Sequence, residues 1–98
     1  MGTLYVQQGT GEATSYSLRT FGHKATIGGS DCNIIIDPET KGKCGYIVAK
    51  RMVTEGGFKR SFPQIHYLSS QGTKTYTVRN LNEGDIVTIN GSTLEFRF

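Results

Sequence analysis

The groups in this 98-residue chain best placed to do chemistry are backbone amides at a double glycine, loop lysines and serine hydroxyls. Gly28-Gly29 opens a small polar loop, Ser30-Asp-Cys-Asn33, and two successive glycine amides can cradle an anion. Their plainer role is a tight strand-to-loop turn. Lys41 and Lys43 follow in a glycine-rich run, where they form a basic rim or are simply solvated. Lys50, Arg51, Lys59 and Arg60 flank Gly56-Gly57. Cross-strand pairing there gathers one basic patch or leaves a solubilised hairpin end. His23 and His66 with Cys32 and Cys44 make a Cys2His2 inventory, but the spacings match no zinc pattern, so neither a metal nor another cofactor is expected. Ser, His and Asp all occur without a nucleophile elbow or comparable motif, and the chain is not read as an enzyme.

The elements that must position these groups are strands. Thirteen glycines scattered without period, two prolines, five Tyr and five Phe suit many tight turns between short strands. The length fits one domain spanning 1–98, with a single core. The net charge of +3, from 11 Lys and Arg against 8 Asp and Glu, is too mild to predict nucleic-acid binding by itself. No run approaches the roughly 18 apolar residues of a membrane helix, so no direct membrane insertion is expected. The opening Met1-Gly-Thr-Leu-Tyr-Val6 has neither the basic nor the apolar region of a signal peptide, and the expected location is the cytoplasm, with Cys32 and Cys44 reduced.

Along the chain, Leu4–Val6 and Ser15–Arg19 read as an opening hairpin around Gly9-Thr-Gly11. Lys24–Gly28 and Asn33–Asp37 form the next two strands around the double glycine, and residues 37–45 are turn chemistry. Tyr46–Val53, Phe58–Phe62, Ile65–Leu68 and Thr75–Val78 continue the series, with Pro63 interrupting. Ile86–Ile89, Asn90-Gly91 and Thr93–Phe98 close it as a hairpin, because Asn-Gly supplies the two positive φ angles of a type I′ turn. Alternation puts Leu94, Phe96 and Phe98 on the core face and Glu95 and Arg97 in water. The five tyrosines, Tyr5, Tyr16, Tyr46, Tyr67 and Tyr76, read as sheet-facing core rather than a base-stacking platform. The expected fold is an all-β sandwich of about ten short strands.

In order and spacing these features resemble a forkhead-associated (FHA) domain. Thr26-Ile-Gly-Gly-Ser-Asp-Cys-Asn-Ile-Ile-Ile-Asp37 is similar to the family's Ile-Gly-Arg loop and the strand after it. Ser69-Ser-Gln-Gly-Thr73 is similar to its Ser-x-Asn-Gly-Thr loop, and Leu81-Asn-Glu-Gly-Asp-Ile-Val-Thr-Ile89 with Leu94-Glu-Phe96 to its closing segment. The resemblance implies an FHA-like β-sandwich of about ten to eleven short strands whose loops at one end read phosphothreonine peptides. It also locates the departures. Gly29 stands where the family has its phosphate-binding arginine. Lys41 stands at the phosphate-contacting serine, Gly42 at an arginine, Cys44 at the structural histidine and Gln71 at the peptide-contacting asparagine. An arginine fork grips phosphate through two charge-assisted hydrogen bonds, and glycine offers no replacement.

The resulting expectation is a non-enzymatic protein–protein interaction module, independent of phosphorylation, within a larger bacterial assembly or signalling protein. Degenerate domains resembling this family occur in cytosolic parts of bacterial secretion machines. The implied peptide-binding residues are Gly29, Ser30, Lys41, Lys43, Ser69, Ser70, Gln71 and Thr73. The alternative keeps phosphothreonine-peptide recognition, with Lys41, Lys43 and the serine hydroxyls in place of the fork. Nucleic-acid binding through the Lys50–Arg60 patch is the third reading, and it requires a steep salt dependence.

Overall fold

The computed structural model describes residues 2–39, 42–53, 56–57, 59–68 and 74–98. Within them the chain forms β1 (Thr3–Gln8), β2 (Thr14–Ser17), a 3-10 turn (Leu18–Phe21), β3 (Lys24–Gly28), β4 (Ile34–Ile35), β5 (Lys43–Val53), β6 (Lys59–Tyr67), β7 (Thr77–Asn80), β8 (Ile86–Ile89) and β9 (Ser92–Arg97). One sheet has the order β2-β1-β9-β8 and the other β4-β3-β5-β6-β7. The two close on a shared core, the sandwich expected from the turn spacing. Leu4, Val6, Val87, Ile89, Leu94 and Phe96 line one side, and Ala25, Ile27, Ile34, Ile47 and Ile65 the other. Period-2 alternation produces this directly: β9 runs buried at Ser92, Leu94 and Phe96 and half-buried at Thr93 and Glu95. Asn90 and Gly91 take φ of 48° and 78°, so the terminal hairpin turns as its sequence demands.

The strand expected over Ser15–Arg19 gives way at Leu18 to the 3-10 turn, that over Asn33–Asp37 shrinks to Ile34–Ile35, and that over Thr75–Val78 lies at Thr77–Asn80. Three further expectations differ. The two strands expected on either side of Pro63 are one strand, β6, so the described residues hold nine strands. Ala49 donates its N–H to the His23 carbonyl at 3.1 Å, away from β6, which makes Ala49–Pro63 a pair without mutual hydrogen bonds. The donor that proline lacks therefore faces the β7 side, at the point where β7 ends. Pro63 can still accept there, and its carbonyl takes the Leu81 N–H at 2.9 Å. Second, β5 starts at Lys43, not Tyr46. Third, Phe98 is 75% exposed while Phe96 is fully buried, because pairing with β1 stops at Thr3–Arg97 and leaves Phe98 past the edge of the core.

Pairing with β3 reaches along β5 only to Val48, and β7 pairs with β6 only from Gln64 onward. From Ala49–Pro63 to Val53–Lys59 the two strands run on as a ribbon, away from the loops between β3 and β7. In urea unfolding, Phe96→Ala is expected to cost about 3–5 kcal/mol. Phe98→Ala should cost under about 1 kcal/mol, and equal losses would show that the core extends to the last residue.

Candidate functional site

β3 ends, β5 begins, β6 ends and β7 begins at the same end of the five-stranded sheet. The loop at residues 29–33 joins β3 to a parallel partner, β4, over a span far shorter than the dozen or more residues a parallel crossover needs. Side chains make the tight hook possible. Asn33 Oδ1 accepts from the Thr26 N–H and the Thr26 hydroxyl, both at 3.1 Å, and that hydroxyl accepts the Asn33 N–H at 3.0 Å. These bonds extend the short β3–β4 ladder at its start. Gly29 is buried inside the hook, donating its N–H to the Gly42 carbonyl at 3.2 Å and accepting the Cys32 N–H at 3.0 Å. Its amide is engaged in holding the loop, as the tight-turn reading of the double glycine requires.

The register between β3 and β5 shifts at this point. Ile27 pairs with Gly45, but Gly28 pairs with Lys43, so Cys44 is an extra residue bulged out of the ladder. Backbone contact makes glycine necessary on both sides. A Cβ on Gly28 would overlap the Gly42 carbonyl oxygen, and one on Gly45 would overlap the His66 carbonyl oxygen. The bulge has a chemical consequence. By plain alternation from Tyr46, Cys44 would face outward and Lys43 toward the core. Instead Cys44 is buried and Lys43 is exposed with its ammonium 5.2 Å from the centre of the Tyr46 ring. Burial, with Cys32 nearby, raises the Cys44 thiol above its ordinary value, although Asn90 Nδ2 donates to its sulfur at 3.4 Å. Both cysteines are free thiols, and Cys44 lies in a strand rather than the expected loop.

On the outer face of the same sheet, Tyr46 stacks on His66 with ring centres 4.6 Å apart. Lys24 lies 4.5 Å over the Tyr46 ring, and Tyr76 meets it edge-on at 5.6 Å. His66 Nε2 sits 2.9 Å from Gln64 Oε1, while Gln64 Nε2 donates to Asn80 Oδ1 at 3.0 Å. Gln64 oxygen can only accept, so the histidine carries its proton on Nε2. Burial lowers the His66 pKa below 6.5, and Lys50 and Lys24 lower it further.

Of the residues expected to bind peptide, the structure brings Gly29, Ser30 and Lys43 to this end. Ser30 and Lys43 are exposed and Gly29 is buried. Lys41, Ser69, Ser70, Gln71 and Thr73 lie outside the described residues, as do the side chains of Arg51, Lys59 and Arg60. Lys50 is exposed on the outer face, beyond the Tyr46–Val48 stretch. Sequence reasoning missed the cluster of Lys24, Tyr46, His66 and Tyr76, and misplaced Tyr46 and Tyr76 in the core. Tyr5, at 40% exposure, also faces outward, whereas Tyr16 and Tyr67 do pack against the core. The signal that was available is the opposite parity of Tyr46 and the buried Ile47. Among the described residues, no group of three or more His, Cys, Asp or Glu is placed to hold a metal ion.

Compared with solved structures, the chain aligns with the NMR structure of the yeast Dun1 FHA domain in complex with a doubly phosphorylated peptide derived from Rad53. The TM-score is 0.66 over 98% of this chain and 72% of that one, at 19% sequence identity. The chain has an FHA-like fold. No family model matches its sequence, and no curated protein is significantly similar to it.

Gly28→Ala is expected to lower stability by about 1–3 kcal/mol through overpacking and to shift the amide signals of Gly42 and Lys43. Unchanged denaturation would mean that the close approach yields easily. His66 binds a proton less readily folded than unfolded, so stability should fall as pH drops below 6.5 toward its lowered value. Thermal melts of His66→Gln should lack that part of the decline, and an identical pH profile would refute the assignment.

Proposed function

We propose that this FHA-like domain is a non-enzymatic protein-interaction module that docks a protein or peptide through its loop end without requiring phosphate. The contact residues in this reading are Ser30, Lys41, Lys43, Ser69, Ser70, Gln71 and Thr73, with Gly29 shaping the loop beneath them. The observation that carries it is Gly29 itself. Where an arginine fork would stand there is a buried glycine whose amide is bonded to Gly42, leaving neither side chain nor N–H for a phosphate. Likeness to a peptide-binding FHA domain supports the peptide-docking part of the reading. A cytoplasmic place within a larger bacterial assembly or signalling protein is the setting that the family analogy suggests.

The alternative is phosphothreonine-peptide recognition by a variant site. The observation in its favour is the outward turn of Lys43, which supplies a point charge at the loop end. Titrating isotope-labelled domain with a degenerate phosphothreonine peptide library and its unphosphorylated twin separates the two. Equal shifts at the Ser30 and Lys43 amides with both libraries are expected. Shifts seen only with phosphate would establish the alternative, and silence with both would remove the loop end as the docking surface.

A further inference from the structure

The outer face of the five-stranded sheet is built from two rows of cross-strand neighbours. Thr26, Tyr46, His66 and Val78 make one, and Lys24, Val48, Gln64 and Asn80 the next. Three ammonium groups stand on or beside it. Lys24 and Lys43 both lie over the Tyr46 ring, and Lys50 follows four residues along β5. Among the described residues none of the three lysines is in an ion pair; the carboxylates of the described ion pairs are Glu83, Asp85 and Glu95. Lysines with no carboxylate partner among the described residues, gathered on one side of a domain of net charge +3, leave a locally positive face.

The face is also held in place before any partner arrives. His66 stacks on Tyr46 and the Lys24 and Lys43 ammoniums lie over the same ring, while the hydrogen-bonded line His66–Gln64–Asn80 ties β6 to β7. Positioned side chains lower the ordering cost of association. The face is continuous with the loop end through Lys43, which the Cys44 bulge turns onto it.

We infer that this face is a second part of the docking surface and takes an extended acidic peptide segment of the partner. Glutamate or aspartate carboxylates sit against Lys24 and Lys43 at one end of that segment and against Lys50 at the other. The distance from Tyr46 to Lys50 along an extended strand is roughly 13 Å, which matches acidic residues at i and i+4 of the bound segment. A nucleic acid fits less well, since base stacking needs an open ring face and the Tyr46 ring is already engaged by His66 and two ammoniums. The inference rests on the interaction-module reading and adds the chemistry of the partner.

The test uses the whole domain and a fluorescein-labelled peptide carrying glutamates four residues apart. A lysine-for-glutamate version and a single-stranded oligonucleotide of equal charge serve as controls. Binding is read by anisotropy and by amide shifts, with Lys24→Glu/Lys50→Glu as the face variant and Ser30→Glu as the loop variant. Both lysines are exposed, and a dispersed amide spectrum verifies that the face variant folds. Expected are shifts at Lys24, Tyr46, His66 and Tyr76, no binding of the lysine peptide, and affinity for the acidic peptide at least about tenfold weaker in the face variant. No binding of the acidic peptide, or an unaffected face variant, would overturn the inference. Shifts confined to residues 29–33 and lost in Ser30→Glu would overturn it while leaving the loop-end reading intact. Equal or tighter oligonucleotide binding would overturn it in favour of nucleic acid.

Discussion

The constraint on which the rest of this site depends is the contact between the Gly28 backbone and the Gly42–Lys43 backbone. No side chain fits between them, and the ladder accommodates the approach by letting two residues of β5 oppose one of β3. A bulge of one residue reverses the parity of everything N-terminal to it. Cys44 goes into the core and Lys43 comes out, so one local feature sets both the packing under the loops and the charge above them. The extra residue is also where neighbouring segments are fastened. The Cys44 carbonyl accepts the Leu68 N–H at 2.9 Å, and its sulfur accepts from Asn90, joining the ends of β6 and of the β8–β9 hairpin to the same point.

A hook as tight as residues 29–33 would strain free if nothing held β4, which is only two residues long. It is held from the opposite sheet. Tyr16, on β2, accepts the Ile35 N–H on its hydroxyl at 3.2 Å, and Ser92, on β9, donates its buried hydroxyl to the Ile36 carbonyl at 3.0 Å. Both bonds cross the sandwich, and each contributes on the order of 1 kcal/mol net. Their larger effect is to satisfy backbone groups that a two-residue strand leaves without ladder partners. That requirement explains why Ser92 is buried among apolar neighbours.

Most of the fold was legible in the chain. Alternation in β8 and β9 and the Asn90-Gly91 turn are local signals, and local geometry fixes them. Pro63 was misread because proline marks a strand's end only when its missing donor faces a partner; here it faces the end of β7, a fact of register that sequence does not carry. The FHA resemblance rested on motif order and agrees with the architecture, whereas the site was legible only in part. Lys43 was named from its loop, but its partners were not, since the parity reversal at Cys44 is a property of two strands together. The aromatic cluster was missed for the same reason: Lys24, Tyr46, His66 and Tyr76 come from four segments and meet only through pairing.

The lysines on this sheet stand singly, unlike the paired donors of an arginine fork. An arginine fork concentrates charge and directional donors on one group. Here single ammonium charges are spread along a sheet face, and those of Lys24 and Lys43 rest on the Tyr46 ring. Cation–π contact of an exposed lysine is worth about 0.5–1 kcal/mol, enough to bias where the ammonium rests but not to neutralise it. Burial and the same lysines lower the His66 pKa, and its ring adds a shape and a hydrogen bond to the face. If this face docks a partner as inferred, it would select by the spacing of negative groups along an extended segment. In the proposed reading, selection of that kind would accept carboxylate as readily as phosphate, so a docking site would not depend on an arginine fork.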